Sequence, residues 1–544
     1  MKKNFIIIFL ILLVYFVNAQ NDDSPDILLP KIDIEIEDKR QLTLDILIKD
    51  TKLPEIKFEA ITKPEFSDII KIDLEATLPE RVEAPDKIKP IDAIILFGYG
   101  LNNNLLADFS IFIKEINPIV SIHYLREAKE NFWIERNDIK NSMSMDDFRA
   151  ELLYNYKKFN LGTELGYFEK SYDLQDQSIY KNLKKRLLNI DLGPSLKFDY
   201  QNDLTFRVFN SLMFLNAFGK TNSSISRSDI GYLLQTDLAY SQVFSNNHYI
   251  TARIGYDFNY LESKTNGTSG GFTGAYSNYF FNNIKTGISY STMLKESFLI
   301  KASAEFLGSF RGYEFFWYIL PYAKFGYSFY DYFHCYIEGG ASLIGKPDQY
   351  WFKNNDYTVF PNSATPGYKW FGKTGLKGSL TGWFSGYTDL EIAYNMYGLD
   401  WALASPEEAL YTMQKREILD LNLAVGITFN VKQYLEITAE WKHSFLERNY
   451  FVPADLIKAH IKWGAPKIGL TFFLDFIGQF IRVDTAGADM ENVYLLNGGI
   501  DWNWRERFGL GVLFNNIIYF QHYQLMKYYD ESGFEFIIYM KIGF

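Results

Sequence analysis

From Asp92 to Phe544 apolar side chains recur at every second position, in stretch after stretch, and this period restricts the possible folds more than any other feature of the chain. Leu188, Ile190, Leu192, Leu196 and Phe198 share one side of an extended backbone, with Asn189, Asp191, Ser195, Lys197 and Asp199 on the other. Ile250, Ala252, Ile254, Tyr256, Phe258 and Tyr260 oppose Thr251, Arg253, Asp257 and Asn259 in the same way. Leu419, Leu421, Leu423, Val425, Ile427 and Phe429 do so again against Asp420, Asn422, Thr428 and Asn430. A period of two belongs to a β-strand whose faces meet different surroundings. Each alternating run lasts about 11 to 14 residues, against roughly 5–6 for strands in soluble sheets, and approaches what a tilted strand needs to cross a bilayer. A soluble sandwich is disfavoured; lipid on one face and water on the other is the expectation.

The N-terminus points to export. Lys2 and Lys3 precede an apolar run from Phe5 to Val17, and Val17-Asn18-Ala19 supplies a small-residue exit. That is the layout of a secretory signal over residues 1–19, too short to span a membrane stably. No Cys follows it, which excludes a lipoprotein anchor, and the sole cysteine, Cys335, reads as a packing residue. Beyond the signal no run of about 18 apolar residues predicts a transmembrane helix. Aromatic residues make up 18% of the chain, as expected of a barrel with aromatic girdles, and the net charge of −11 argues against a nucleic-acid partner.

Residues 20–90 differ from the rest. They hold seven of the 16 prolines, and between these run short alternating pieces such as Ile32 to Glu37 and Ile70 to Leu74. Proline interrupts a sheet, so this part reads as an extended periplasmic segment: a solvated tether, a strand that pairs with a periplasmic partner's sheet edge, or a piece that folds into the barrel mouth. The acidic row Asp33, Glu35 and Glu37 is spaced too widely along a strand to close a Ca²⁺ shell.

Connections in residues 91–544 fall into two kinds. Short polar turns are expected at Tyr200 to Asp203, Ser245 to Asn247, Leu294 to Ser297, Val431 to Gln433, Gly464 to Lys467 and Arg505 to Arg507. Longer polar stretches alternate with them, at Glu127 to Asp146, Lys170 to Arg186, Asn216 to Asp229, Glu262 to Asn278, Lys346 to Gly367, Leu399 to Arg416 and Gln521 to Gly533. Short turns at one end and long loops at the other characterise outer-membrane barrels. The predicted fold is therefore all-β: a transmembrane antiparallel barrel of about 22 strands (20–24), with both ends periplasmic, preceded by an extended periplasmic leader.

Chemistry-bearing motifs are sparse. His123, His248, His334, His443, His460 and His522 have no zinc-like spacing and read as surface or girdle residues; no metal or cofactor is expected. Gly340 to Lys346 has phosphate-loop spacing, but Pro347 stands where Ser or Thr should follow. Gly509 and Gly511 relieve crowding in a curved strand. Aromatic clusters at Arg311 to Trp317 and Tyr350 to Phe352 are expected in loops, as girdle anchors or as stacking surfaces. No catalytic set can be assembled, so the chain reads as a non-enzyme. Arg207, Arg253, Lys301, Glu305 and Glu440 interrupt apolar runs and should point into the lumen, since a charge facing lipid costs about 2–4 kcal/mol at the midplane. They form either a general polar lining or part of a binding site.

At the C-terminus Phe534, Phe536, Ile538, Met540, Ile542 and Phe544 share one face. This resembles the terminal strand of bacterial outer-membrane barrels, which the resemblance implies is read by the barrel-assembly machinery. With its leader running into Leu96-Phe97-Gly98-Tyr99-Gly100 and Asn104-Leu105-Leu106-Ala107-Asp108, the chain is similar to plug-less, TonB-dependent-receptor-like barrels of Bacteroidetes-type bacteria. The resemblance implies an outer-membrane protein, seated in outer-membrane lipid, that passes or binds a solute. Alternatives are a structural or assembly protein docking a periplasmic partner through residues 20–90, a hydrophobic-substrate transporter, or a porin.

Overall fold

A computed structural model describes residues 91–543 outside a set of connecting stretches, of which 345–366 is the longest. The signal, the leader, Phe544, Pro347 and the Tyr350 to Phe352 cluster lie outside the described residues.

Twenty-two strands form one antiparallel sheet. In chain order they are β1 (Ile91–Gly100), β2 (Leu105–Ile113), β3 (Ile119–Ile134), β4 (Ile139–Tyr156), β5 (Phe159–Asp173), β6 (Tyr180–Lys197), β7 (Asn202–Gly219) and β8 (Ser226–Ser245). Then come β9 (His248–Asn266), β10 (Tyr276–Leu294), β11 (Phe298–Arg311), β12 (Glu314–Phe329), β13 (Phe333–Ile344), β14 (Gly367–Thr381) and β15 (Phe384–Ser405). The ring continues through β16 (Leu410–Val431), β17 (Leu435–Ser444), β18 (Asp455–Ala465), β19 (Leu470–Phe480), β20 (Val493–Trp504), β21 (Phe508–Asn515) and β22 (Glu535–Gly543). Each strand pairs with its sequence neighbours, and β1 also pairs with β22, from Ile94 opposite Gly543 to Gly100 opposite Ile537. Ring closure leaves no free edge, so every strand of the ring has a hydrogen-bonding neighbour on both sides.

Alternation in the sequence becomes two faces of the wall. Leu188, Ile190, Leu192 and Leu196 on β6, and Leu419 and Ile427 on β16, are exposed on the outside. A monomer in water rarely exposes such a continuous apolar surface, whereas a bilayer covers it. Tyr156, Phe159, Phe198, Phe244, Phe298, Trp383, Tyr434 and Trp504 ring the outer face beside the short turns, at the end where β1 begins and β22 finishes. Phe218, Phe310, Phe315, Trp317 and Trp441 mark a second ring toward the other end. Phe298 and Phe310 stand twelve positions apart on β11, roughly 30 Å of height for a strand of ordinary rise tilted by about 40°. That separation matches a bilayer between two aromatic belts.

Five of the seven expected long connections are shorter than the sequence pattern suggests, while Lys346 to Gly367 lies almost wholly outside the described residues. Asn216 to Gly219 and Ser226 to Asp229 are strand, with Phe218 opposite Ser226, and Leu399 to Ser405 pairs with Leu410 to Lys415, with a register shift between Leu403 and Ser405. Glu262 to Asn278 is paired up to Lys264 opposite Tyr276. Lys170 to Arg186 and Glu127 to Asp146 likewise carry strand to Asp173 and from Tyr180, and to Ile134 and from Ile139. Strands therefore reach 22 residues, well beyond the expected 11 to 14. The reason is physical: apolar alternation records contact with lipid, while backbone pairing continues above the bilayer, where both faces can be polar. Of the cluster from Arg311 to Trp317, expected in a loop, Arg311 ends β11 and Glu314 to Trp317 begin β12, and Phe315 and Trp317 face outward from it.

Candidate functional site

The inner wall carries the chain's charge. On the half of β6 to β11 nearer the termini most residues between the outward apolar positions are polar, and neighbouring strands bring them together in register. Arg207 on β7 faces the inside and donates through Nε to both carboxylate oxygens of Asp191 on β6, at 3.0 Å each. Its register partner on β8 is Asp237, which in turn accepts from Arg253 on β9, with an Nη–Oδ1 separation of 2.7 Å. Arg253 and Glu305 on β11 stand on either side of Gly287 on β10. One step away Lys285 pairs with Asp257. Three of the five candidate residues, Arg207, Arg253 and Glu305, thus belong to one charged arc.

Lys301 begins a second row. Lys301, Lys324, Glu338, Lys373 and Glu391 follow one another in register across β11 to β15. Lys324 bonds Glu338 at 3.1 Å, and Lys373 reaches Asp389 at 3.2 Å. Glu440 lies apart from the other four, on β17, where it is 6% exposed. The Tyr387 hydroxyl donates to its Oε1 at 2.8 Å across Gly426, and Lys442 lies 2.9 Å from the same oxygen. Tyr336, Gly375 and Asp389 repeat this arrangement on β13, β14 and β15, with a 2.6 Å hydrogen bond from the phenol. In both, glycine leaves backbone bare so that a tyrosine ring can lie across the wall.

Toward the end remote from the termini the lining changes character. Leu125, Phe168, Leu187, Met213 and Leu261, on β3, β5, β6, β7 and β9, are buried and belong to one apolar cluster. At this level the arc is packed rather than a wet bore.

Several histidines depart from the surface-or-girdle reading. His123 and His460 point inward and meet Asp108 at 3.0 Å and Asp475 at 2.6 Å. Tyr387, Lys458 and Asp475 were not singled out by the sequence reading, and His460 entered it only as a surface or girdle residue. The same alternation that selects Glu440 marks Lys458 and His460, since Ile457 and Ile461 beside them face outward. Phe536, Ile538, Met540 and Ile542 share the outer face of β22, which Phe534 immediately precedes, and Ile538 stands opposite Tyr99 and Met540 opposite Phe97.

No family model and no curated protein sequence matches the chain. Solved structures do. The FrpB iron transporter from Neisseria meningitidis superposes with a TM-score of 0.66 at 10% identity, covering 84% of this chain and 81% of that one. The copper transporter OprC gives 0.66 at 7% identity, covering 84% and 80%. The siderophore receptor PiuA from Acinetobacter baumannii gives 0.65 at 8%, covering 84% and 82%. The barrel has the fold of TonB-dependent receptors. At these identities the likeness is one of architecture, and it says nothing of which solute the inner wall meets.

Proposed function

We propose that the chain is an outer-membrane barrel that binds or passes a solute, with the ends of β1 and β22 on the periplasmic side. What carries this reading is the contrast between the faces: apolar side chains between two aromatic belts outside, and strand-to-strand charge pairs inside. A protein using its barrel only as an anchor has no need of a charged inner wall, since apolar packing would fill it at lower desolvation cost. Similar structures include iron and copper transporters and a siderophore receptor, so metal ions and their chelates are the first solutes to test. On this reading Arg207, Arg253, Lys301, Glu305 and Glu440 line the route, and the outer face of β22 is the segment that the assembly machinery engages.

The deciding experiment is liposome swelling with the purified full-length chain across sugars, amino acids, inorganic salts and ferric chelates. Size- or charge-selective swelling supports a solute route. Swelling no faster than that of empty liposomes for every class, together with no binding of any of them, overturns it. Deleting residues 22 to 88 and measuring single-channel conductance tests whether the leader takes part; unchanged conductance removes it.

A further inference from the structure

We infer that a recess in the inner wall between β15 and β19 binds a small zwitterion, one bearing an ammonium and a carboxylate a few bonds apart, as a free amino acid does. The recess is lined by Tyr387, Thr428, Thr438, Glu440, Lys458 and His460, among others. Glu440 uses Oε1 for Tyr387 and Lys442, while Oε2, which also faces buried space, meets no hydrogen-bonding group. Directly opposite in register on β18 stands Lys458, whose Nζ is buried and also lacks a hydrogen-bond partner. Two opposite charges on neighbouring strands therefore line one recess, their unpartnered atoms shielded from solvent and not bonded to each other.

A buried charge without a partner is costly, and the cost falls when a partner of opposite sign completes it. A lone anion would satisfy Lys458 but meet the free oxygen of Glu440. A lone cation would satisfy Glu440 but meet the ammonium of Lys458. A molecule carrying both signs completes both groups at once, its ammonium donating to Oε2 and its carboxylate accepting from Nζ. His460 is held by Asp475 at 2.6 Å, which fixes the edge that the imidazole offers to the recess. The competing occupant is a bridging water, which also donates to one group and accepts from the other.

This inference deepens the solute reading by naming a class, and rests on it for its place in a route; binding itself requires no passage. Glycine and L-alanine would be titrated calorimetrically into the detergent-solubilised full chain, alongside acetate and methylammonium as the two halves. The expected result is saturable binding of the amino acids, at least about tenfold tighter than either half, since each charge-assisted hydrogen bond lost is worth about a factor of ten or more. Lys458→Met and Glu440→Gln should each weaken it about tenfold or more, while Leu510→Ala on the outer face should not. Lys458→Met removes an unpaired buried charge, so it is expected to fold at least as well as the parent and to keep the test valid if Glu440→Gln does not fold. No saturable binding, acetate binding as tightly as glycine, or full affinity in Lys458→Met would overturn the proposal. Glycine binding without liposome swelling sinks the passage reading and leaves the site; swelling with other solutes but no amino-acid binding does the reverse.

Discussion

The phenol of Tyr387 reaches Glu440 two strands away, crossing the bare backbone of Gly426 to do so. A methyl at Gly426 would overlap the Tyr387 ring. Gly426→Ala should therefore displace the ring, break its hydrogen bond and cost about 1–3 kcal/mol of overpacking strain. At Gly166 the added methyl would meet only Asn189, at ordinary van der Waals distance of 3.6 Å. Gly166→Ala should accordingly stay within about 0.5 kcal/mol of the parent. Urea unfolding of both variants in lipid, followed by tryptophan fluorescence, checks the contrast.

A second prediction concerns the short hairpin at the seam. β1 and β2 stop at Gly100 and begin at Leu105, whereas β3 runs on to Ile134. Above that notch Lys129 on β3 reaches Glu535 on β22, with Nζ 2.7 and 2.6 Å from the two carboxylate oxygens. Lys129 is 8% exposed and Glu535 1%. Losing one partner of a buried ion pair is strongly destabilising, so Lys129→Met should cost about 3–5 kcal/mol, and adding Glu535→Met should recover part of it. Equal stability of the single and double variants in the same unfolding assay would contradict a buried pair.

The pair Arg253–Asp237 should behave differently despite similar geometry. Its side chains are 38% and 24% exposed, so water already screens them. Asp237→Asn is expected to change stability by under about 1 kcal/mol. A loss as large as that of Lys129→Met would mean that this part of the inner wall is drier than its exposure implies.

Closure and face assignment were legible in the sequence because lipid contact imposes a period of two: Leu188 to Phe198 and Leu419 to Phe429 alternate for that reason alone. The same logic placed Arg207, Arg253 and Glu305 between outward apolar neighbours. It could not find their partners, since Asp191, Asp237 and Gly287 are set by register between strands. Strand ends were also hidden: from Leu399 to Ser405 and from Leu410 to Arg416 the backbone stays paired after lipid ceases to dictate which side chain goes where. The role of Gly426 was invisible for a related reason, because it depends on a tyrosine about forty positions earlier.

Depth in the bilayer should separate two equally exposed outer residues. Ile254 on β9 is 51% exposed and Phe244 on β8 is 58% exposed, so neither gains much from protein packing. Phe244 sits one position before the end of its strand, in the aromatic ring beside the short turn, whereas Ile254 lies six positions inside β9. An arginine at Ile254 would have to take its guanidinium into hydrocarbon, while at Phe244 it can lie among headgroups. Ile254→Arg should therefore destabilise the folded barrel in lipid by about 2–4 kcal/mol, and Phe244→Arg by about 0–1 kcal/mol. The comparison is read from unfolding midpoints in vesicles. Equal costs would mean that the two positions share one environment, which a wall of strands crossing a bilayer does not allow.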